Sequence, residues 1–213
     1  MARTATGTQT RRLLIAMARK RQRAGSGSVP SFLTERTAYM QFPDLTPLFA
    51  SLPWAVVGAA ATRLYMPERA TNDLDILISA QDGAAAREKL AQAGAKYQGE
   101  LSIGGSSWLL PDGFPLDVLE CEELWAKTAL AAAQSNRGAQ GMPILPLPYL
   151  VLMKFQASRV QDLADITRML GQASEEQLAA VRTVFAQWFP DEGEDLESLI
   201  TLGQLEMRKD TQE

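Results

Sequence analysis

The hydrophobic pattern of residues 54–79 predicts a strand, a short helix, a polar loop and a second strand. The first apolar run ends at Gly58, and the second contains Asp73 and Asp75 with Leu74 between them. Because side chains alternate between the two faces of a strand, both carboxylates leave the same face. Two carboxylates this close repel each other, which favours a cation between them. The pattern therefore predicts a site for a hard divalent metal.

The rest of the pattern alternates helices with strands and then becomes helical. Asp82 and Gly94 are suited to begin and end a helix. Residues 106–120 form two apolar arms around a Pro-Asp-Gly turn, which predicts a hairpin. From Pro148 the period is helical, and Ser174 opens a capping box. We expect an α/β (α+β) fold with a mixed sheet flanked by helices and a C-terminal helical region.

Three regions are expected along the chain. They are a basic flexible N-terminal arm (1–30), an α/β domain (31–145) and a C-terminal helical region (146–213). The arm holds seven of the 21 Lys and Arg residues and no acid, so the remainder has 14 basic and 25 acidic residues, about −11 in charge. A basic arm indicates contact with a polyanion such as RNA, or with an acidic partner surface. A solvated tail and a mis-assigned start are the alternatives.

The composition excludes several kinds of chemistry. The chain has no histidine, which removes Ser-His-Asp and Cys-His catalysis and HExxH zinc sites. Its single cysteine, Cys121, excludes an intramolecular disulfide and a cysteine-rich zinc cluster, and we expect a semi-buried structural residue there. No apolar run reaches the roughly 18 residues of a membrane span, so we expect a cytoplasmic protein without membrane contact.

Asp117 adds a third acid to the predicted site. It lies in an otherwise apolar strand, where an unpaired carboxylate is costly. A position beside the Asp73–Asp75 strand would complete a cluster of oxygen ligands suited to Mg²⁺. Gly58 ends a strand before a helix, so its backbone amides can approach a phosphate. Together these features predict a phosphate site that faces a metal.

The stretch VVGAAATRLYMPERATNDLDILI resembles the signature of the nucleotidyltransferase superfamily, which has the DNA polymerase β-like fold. That signature is hG[GS], nine to thirteen residues, then DhDh. Here Gly58 and Ala59 are followed by 13 residues and then by Asp73-Leu-Asp75-Ile. Asp117 in PLDVL matches the separate strand that carries the third acid of the family. The resemblance covers about residues 54 to 170.

Within the superfamily, the motif RxTxDhD of this chain resembles the corresponding motif of AbiEii-type abortive-infection toxins. Arg69 and Thr71 are the arginine and threonine of this motif. The later segment KFQASRVQDLADI resembles the helical Lys–Arg–Asp segment of those proteins. Its lysine is Lys154, and Asp165 follows eleven residues later, on the same face if the helix is unbroken.

The resemblance implies a role for each matched residue. The three acids would bind Mg²⁺ or Mn²⁺, and the third would also activate an acceptor hydroxyl. The expected residues are Asp73, Asp75 and Asp117 for metal and catalysis; Gly58, Ala59, Arg69 and Thr71 for the nucleoside triphosphate; and Lys154 for phosphate or developing charge.

Structural alternatives stay open for these residues. The strand acids could be ordinary surface acids. Lys154 and Asp165 could form a charge network between helices, and Arg69 and Thr71 could simply order their loop. Ala59 departs from the Gly or Ser of the family, which removes a hydroxyl near phosphate but keeps the backbone amide.

The resemblance predicts an enzyme that moves a nucleoside monophosphate from an NTP to an acceptor hydroxyl. The basic arm favours an RNA or tRNA end as acceptor, as for the toxin of a toxin–antitoxin pair with an antitoxin partner. One alternative is a small-molecule acceptor, as in antibiotic-modifying relatives. The other is a non-catalytic nucleotide-binding or interaction protein, which Ala59 and the amphipathic C-terminus favour.

Overall fold

A computed structural model describes residues 5–22, 41–66, 71 and 73–207. The chain divides into a sheet unit, Pro30–Pro146, and a helical unit made of Met1–Val29 and Leu147–Glu213. Residues 5–22 thus group with the C-terminal helices, whereas the sequence predicts a separate arm at residues 1–30.

The secondary structure alternates in the sheet unit and is helical elsewhere. The helices are α1 (Ala5–Arg21), α2 (Gly58–Thr62), α3 (Gly83–Gln92), α4 (Ala126–Ala133), α5 (Leu147–Ala157), α6 (Val160–Gln172), α7 (Glu175–Trp188) and α8 (Gly193–Met207). The strands are β1 (Trp54–Val57), β2 (Leu74–Ser79), β3 (Lys96–Glu100), β4 (Gly105–Leu109) and β5 (Pro115–Cys121). None of the helices in the described ranges is both long and apolar enough to cross a bilayer.

The five strands form one mixed sheet in the order β1-β2-β5-β4-β3. β2 and β5 are parallel, and the other neighbours are antiparallel. Apolar side chains that alternate along the two central strands are fully buried, which explains why these strands lie inside the sheet. The mixed sheet with flanking helices confirms the predicted fold class, as do the C-terminal helices.

The predicted hairpin and the helix after β2 are both present, with one correction. β4 and β5 pair across a turn in which the Gly113 amide donates to the carbonyl of Leu110 at 2.8 Å. Asp82 precedes α3, but its side chain makes no capping hydrogen bond. The Ser79 hydroxyl instead accepts from the Gln81 amide at 3.4 Å, because a short 3₁₀ turn separates β2 from α3.

A break separates α5 from α6. Ser158 lies between the two helices with φ of 54°, a conformation that ends α5. The condition for Lys154 and Asp165 to share one helix face, an unbroken helix, is therefore not met. The two residues still meet, because the chain turns at the break and brings α6 against α5.

At the start of α7 the structure agrees with the sequence-based prediction. Ser174 and Gln177 form the predicted capping box at the start of α7, with reciprocal hydrogen bonds of 3.2 and 2.9 Å. α6 and α8 cross at Gly171 and Gly203, where a Cβ on Gly203 would lie 2.0 Å from the carbonyl oxygen of Thr167. This crossing requires glycine because the facing atoms belong to the backbone.

The basic N-terminal segment contributes a helix to this unit. Arg11 of α1 is 4% exposed and forms ion pairs with Glu192 and with Asp195, the latter at 3.2 Å. Its guanidinium also lies 4.0 Å from the ring centroid of Phe155. For residues 5–21 the expectation of a flexible arm thus differs from the structure. The contact that buries Arg11 is an ion pair, so the small apolar stripe of this helix did not predict it.

Candidate functional site

The strand register brings two of the predicted acids together. Asp75 of β2 pairs with Asp117 of β5 in the parallel ladder. Paired residues of adjacent strands lie about 4.8 Å apart and direct their side chains to the same face. Both side chains are half-buried. The strand that carries Asp117 therefore lies beside β2, as predicted.

Gly58 lies against one of these acids. Val57 pairs with Asp75 in the β1–β2 ladder, and the chain turns at Gly58 with φ of 62°. A Cβ on Gly58 would fall 1.8 Å from Oδ2 of Asp75. Any other residue would collide with the carboxylate and would also strain the backbone. This close approach is the geometric reason for glycine at this position.

Asp73 lies at the edge of this arrangement. It is exposed, directly precedes β2, and its carboxylate accepts a hydrogen bond from the hydroxyl of buried Thr71. Within residues 5–22, 41–66, 71 and 73–207, no three acidic or cysteine side chains form a group able to hold an ion. The expected cluster of Asp73, Asp75 and Asp117 is thus not assembled as one group, and its metal-binding role stays a prediction.

The other nucleotide-binding predictions have different outcomes. Ala59 is half-buried in α2, where its carbonyl accepts a hydrogen bond from the Thr62 hydroxyl at 2.7 Å. Arg69 lies outside the described residues. Thr71 contacts Asp73, which fits the alternative that it orders the loop.

Lys154 is part of a buried charge network between α5 and α6. Its Nζ lies 2.8 Å from Oδ2 of Asp165 and 3.5 Å from Oδ1 of Asp162. Arg159 also binds Asp162 at 2.7 Å, and Gln161 donates to Asp165 at 2.8 Å. This charge network is the structural alternative to a catalytic role for Lys154. Contact of Lys154 with phosphate stays a prediction.

A separate ion-pair cluster lies near the sheet edge. Arg87 of α3 contacts Glu100 of β3, and it also contacts Glu120, which leaves β5 on the face opposite to Asp117. Hydrogen bonds from Arg87 and Tyr97 lower the pKa of Glu100 from 4.5 to about 2. Every member of this cluster has a partner within it, so we assign it a structural role.

Sequence reasoning missed a polar residue in the row of acids. Ser107 of β4 pairs with Asp117 across the hairpin and is half-buried. The signal was available, because both residues lie five positions from Asp112 in the predicted turn. Counting the hairpin register outward from that turn places them opposite each other.

Comparison with known proteins yields structural neighbours only. No protein-family model matches the chain, and no curated protein matches it by sequence. Among solved structures, a crystal structure of ANT(2″)-Ia in complex with adenylyl-2″-tobramycin aligns with 16% identity and a TM-score of 0.38, covering 73% of this chain and 88% of that chain. A solution structure of the antibiotic-resistance factor ANT(2″)-Ia aligns with the same identity and TM-score, covering 94% and 93%. Likeness at this level establishes neither family nor function for this chain.

Proposed function

We propose that this chain is a metal-dependent nucleotidyltransferase. It moves a nucleoside monophosphate from an NTP to an acceptor hydroxyl and releases pyrophosphate. The observation that carries the proposal is the position of Asp75, which lies against the backbone of Gly58 and next to Asp117 in the sheet. The backbone at Gly58 and two oxygen donors are thereby close together.

The donor set suits Mg²⁺ or Mn²⁺. Magnesium is commonly bound by one or two protein carboxylates, with phosphate oxygens and water as its other ligands. Asp75 and Asp117 supply two such carboxylates, and Asp73, which directly precedes β2, is proposed as the third ligand. When bound, the metal would neutralise charge on the triphosphate and on the departing pyrophosphate.

Each residue of the site has a proposed task. Asp117 accepts the proton of the attacking hydroxyl; its carboxylate is half-buried beside Asp75. The amide of Ala59 donates to phosphate, and Gly58 lets the Asp75 carboxylate lie close to the backbone beside it. Thr71 orients Asp73 through its hydroxyl. A phosphate contact by Lys154 would have to compete with Asp162 and Asp165.

The chemical class of the acceptor is the more specific part of the proposal. An RNA or tRNA end was favoured because of the basic arm, but Arg11 is buried against Glu192 and Asp195. Arg19 lies within hydrogen-bond distance of Ser198, which further engages α1 with α8. Arg11 is thereby engaged within the protein, while Arg12, Arg19, Lys20 and Arg21 are exposed. An RNA end and a small-molecule hydroxyl are therefore the two candidate acceptors. The toxin assignment and an antitoxin partner rest on the resemblance alone.

Labelled nucleotides test the function directly. The purified chain is incubated with each α-labelled NTP and Mg²⁺ or Mn²⁺, using either tRNA and total RNA or hydroxylated antibiotics as acceptors. We expect label transfer to one acceptor class and its loss in Asp75→Asn and Asp117→Asn. Asp112→Asn is the matched control, because its turn needs only an acceptor for the Phe114 amide. Transfer that survives both site substitutions would rule out the proposal, and NTP binding without transfer would favour the non-catalytic alternative.

A further inference from the structure

The N-terminal helix contacts the junction between α5 and α6. Nη1 of Arg11 in α1 donates a hydrogen bond to the hydroxyl of Ser158 at 3.1 Å. That hydroxyl donates in turn to the carbonyl of Phe155, and Cζ of Arg11 lies 4.0 Å from the centroid of the Phe155 ring. Arg11 is therefore bound to the last turn of α5 at the point where the chain turns into α6.

The junction has a conformation that the local sequence does not favour. Ser158 has φ of 54°, in the left-handed region that residues other than glycine seldom adopt, and it is the one non-glycine residue with positive φ in the described ranges. Residues 154–165 contain neither glycine nor proline, so a helix could continue through them. Contacts from outside the segment are therefore needed to maintain the break.

The break determines whether Lys154 meets its acids. At the break, α6 turns back so that Nζ of Lys154 lies 2.8 Å from Oδ2 of Asp165, and Lys154 is only 5% exposed. In an unbroken helix the eleven residues between them would separate their Cα atoms by about 16 Å along the axis, beyond the reach of the two side chains. A junction that relaxes toward helix thus moves Asp165 away from Lys154.

We propose that docked α1 controls access to Lys154, with Arg11 as a positioning residue that acts through Ser158. While Arg11 is bound, Ser158 keeps its left-handed conformation and Lys154 stays paired with Asp162 and Asp165. When that contact is lost, the junction opens and the ammonium of Lys154 becomes accessible to solvent and to anions. A consequence for binding of a triphosphate rests on the proposed function, whereas the coupling between Arg11 and Lys154 does not.

Acetylation of lysine measures this access without relying on turnover. The full chain is treated with acetic anhydride, and mass spectrometry gives the modification rate of Lys154 relative to exposed Lys127. We expect Arg11→Met to raise this ratio about 10- to 100-fold, as loss of a hydrogen bond to a charged group does for a local opening equilibrium. Arg182→Met is the matched control, because it removes a surface ion pair with Glu197 in the same unit and should leave the ratio unchanged.

Two substitutions at the junction make the test specific. Glycine adopts a φ of 54° without strain, so in a Ser158→Gly chain the break needs no support from Arg11. In that background we expect Arg11→Met to have much less effect on Lys154. Ser158→Ala keeps the strain but removes the hydroxyl, and it should raise the ratio by itself. Both Ser158 variants keep every buried charge, so they test the proposal without an Arg11→Met chain that folds.

Amide hydrogen exchange separates opening of the junction from loss of the whole unit. The amides of Ser158 and Leu163 donate to the carbonyls of Lys154 and Arg159 across the junction. In Ser158→Ala they should exchange faster, while the amide of Val181 in α7 should not.

The outcomes distinguish this inference from the proposed function. An unchanged Lys154 rate in Ser158→Ala, or in a folded Arg11→Met chain, overturns the inference. An equal rise from Arg11→Met with and without Ser158→Gly overturns it too, and so does faster exchange throughout α7, because either result would show a destabilised unit. If the expected changes in Lys154 occur in a chain that transfers no nucleotide, the coupling stands and the proposed function falls.

Discussion

In the helical unit, Asp162 and Asp165 are almost fully buried beside Lys154, whereas in the sheet unit Asp75 and Asp117 are half-buried beside each other. The first group includes its own cation. The second places two like charges in neighbouring positions, both half-buried. Both groups contain two neighbouring acids, but only the first is described with a buried lysine between them.

The difference separates a role in stability from a role in binding. Removing one partner of a buried ion pair leaves an uncompensated charge and costs about 3–5 kcal/mol. Neutralising one of two adjacent like charges relieves repulsion instead. Two neighbouring carboxylates favour a cation between them, and a group whose carboxylates already share a buried lysine contributes to the fold. Substitutions in the two groups should therefore have opposite signatures.

Asp117→Asn should produce the largest functional effect. We expect nucleotidyl transfer to fall by about 10³-fold, since the group that accepts the proton is lost. The free energy of unfolding should stay the same or rise by at most about 1 kcal/mol, because repulsion with Asp75 is reduced. Initial rates and urea denaturation followed by circular dichroism measure the two quantities. A stability loss above that size would show that Asp117 supports the fold and would break the comparison.

Lys154→Met should show the reverse signature. Two buried carboxylates lose their shared cation, so the protein should lose about 3–5 kcal/mol of stability. Lys127→Met, at an exposed position of α4, is the control and should change stability by less than about 0.5 kcal/mol. Urea denaturation of both variants provides the measurement. Wild-type stability together with lost transfer would instead indicate that Lys154 contacts the substrate.

Gly203→Ala sharpens the comparison with a residue that serves packing alone. Its new Cβ would meet backbone atoms of α6, so we expect a loss of about 1–3 kcal/mol and an unchanged rate per folded molecule. Gly193→Ala is the control, because nothing lies within 4 Å of a Cβ there. Thermal unfolding and transfer rates of both variants test this expectation. An equal effect of the two substitutions would contradict the tight crossing.

Glu100→Gln should give the smallest effect, because this carboxylate is exposed. Arg87 and Tyr97 lower the pKa of Glu100 to about 2, so its stabilising contribution is present above about pH 4.5 and is lost as the pH falls toward 2. The variant should melt slightly below the unaltered protein at pH 7, and the two melting temperatures should converge near pH 2. Added salt should also reduce the difference. A difference that persists at low pH would point to packing and not to charge.

Local signals allowed much of the sheet unit to be predicted. The turn around Asp112 and the alternation of the two arms predicted the β4–β5 hairpin, and the apolar pattern predicted β1 and β2. The position of the Asp117 strand beside β2 was expected from the acid in an apolar strand and from the family resemblance, not from these local signals. The local signals also did not reveal that Gly58 contacts Asp75, because that distance depends on the antiparallel pairing of β1 with β2.

Less of the helical unit could be predicted, for a physical reason. No glycine or proline marks the break at Ser158; Arg11, 147 residues away, donates a hydrogen bond to its hydroxyl at 3.1 Å. The docking of α1 depends on ion pairs with distant residues, and hydrophobic periodicity does not register such contacts. Local propensity predicted the capping box of α7, because all its atoms lie within four residues.

The link between Arg11 and Asp195 has a consequence for biosynthesis. The two residues are 184 positions apart, so a ribosome adding about 5–20 residues per second needs about 10–40 s to make the second after the first. During that interval the sheet unit leaves the ribosome complete, while the first helix still lacks its acidic partners. We expect the sheet to fold first during translation and the helical unit to close last. An early stop before Glu192 would leave Arg11 without both carboxylates and expose the chain to degradation.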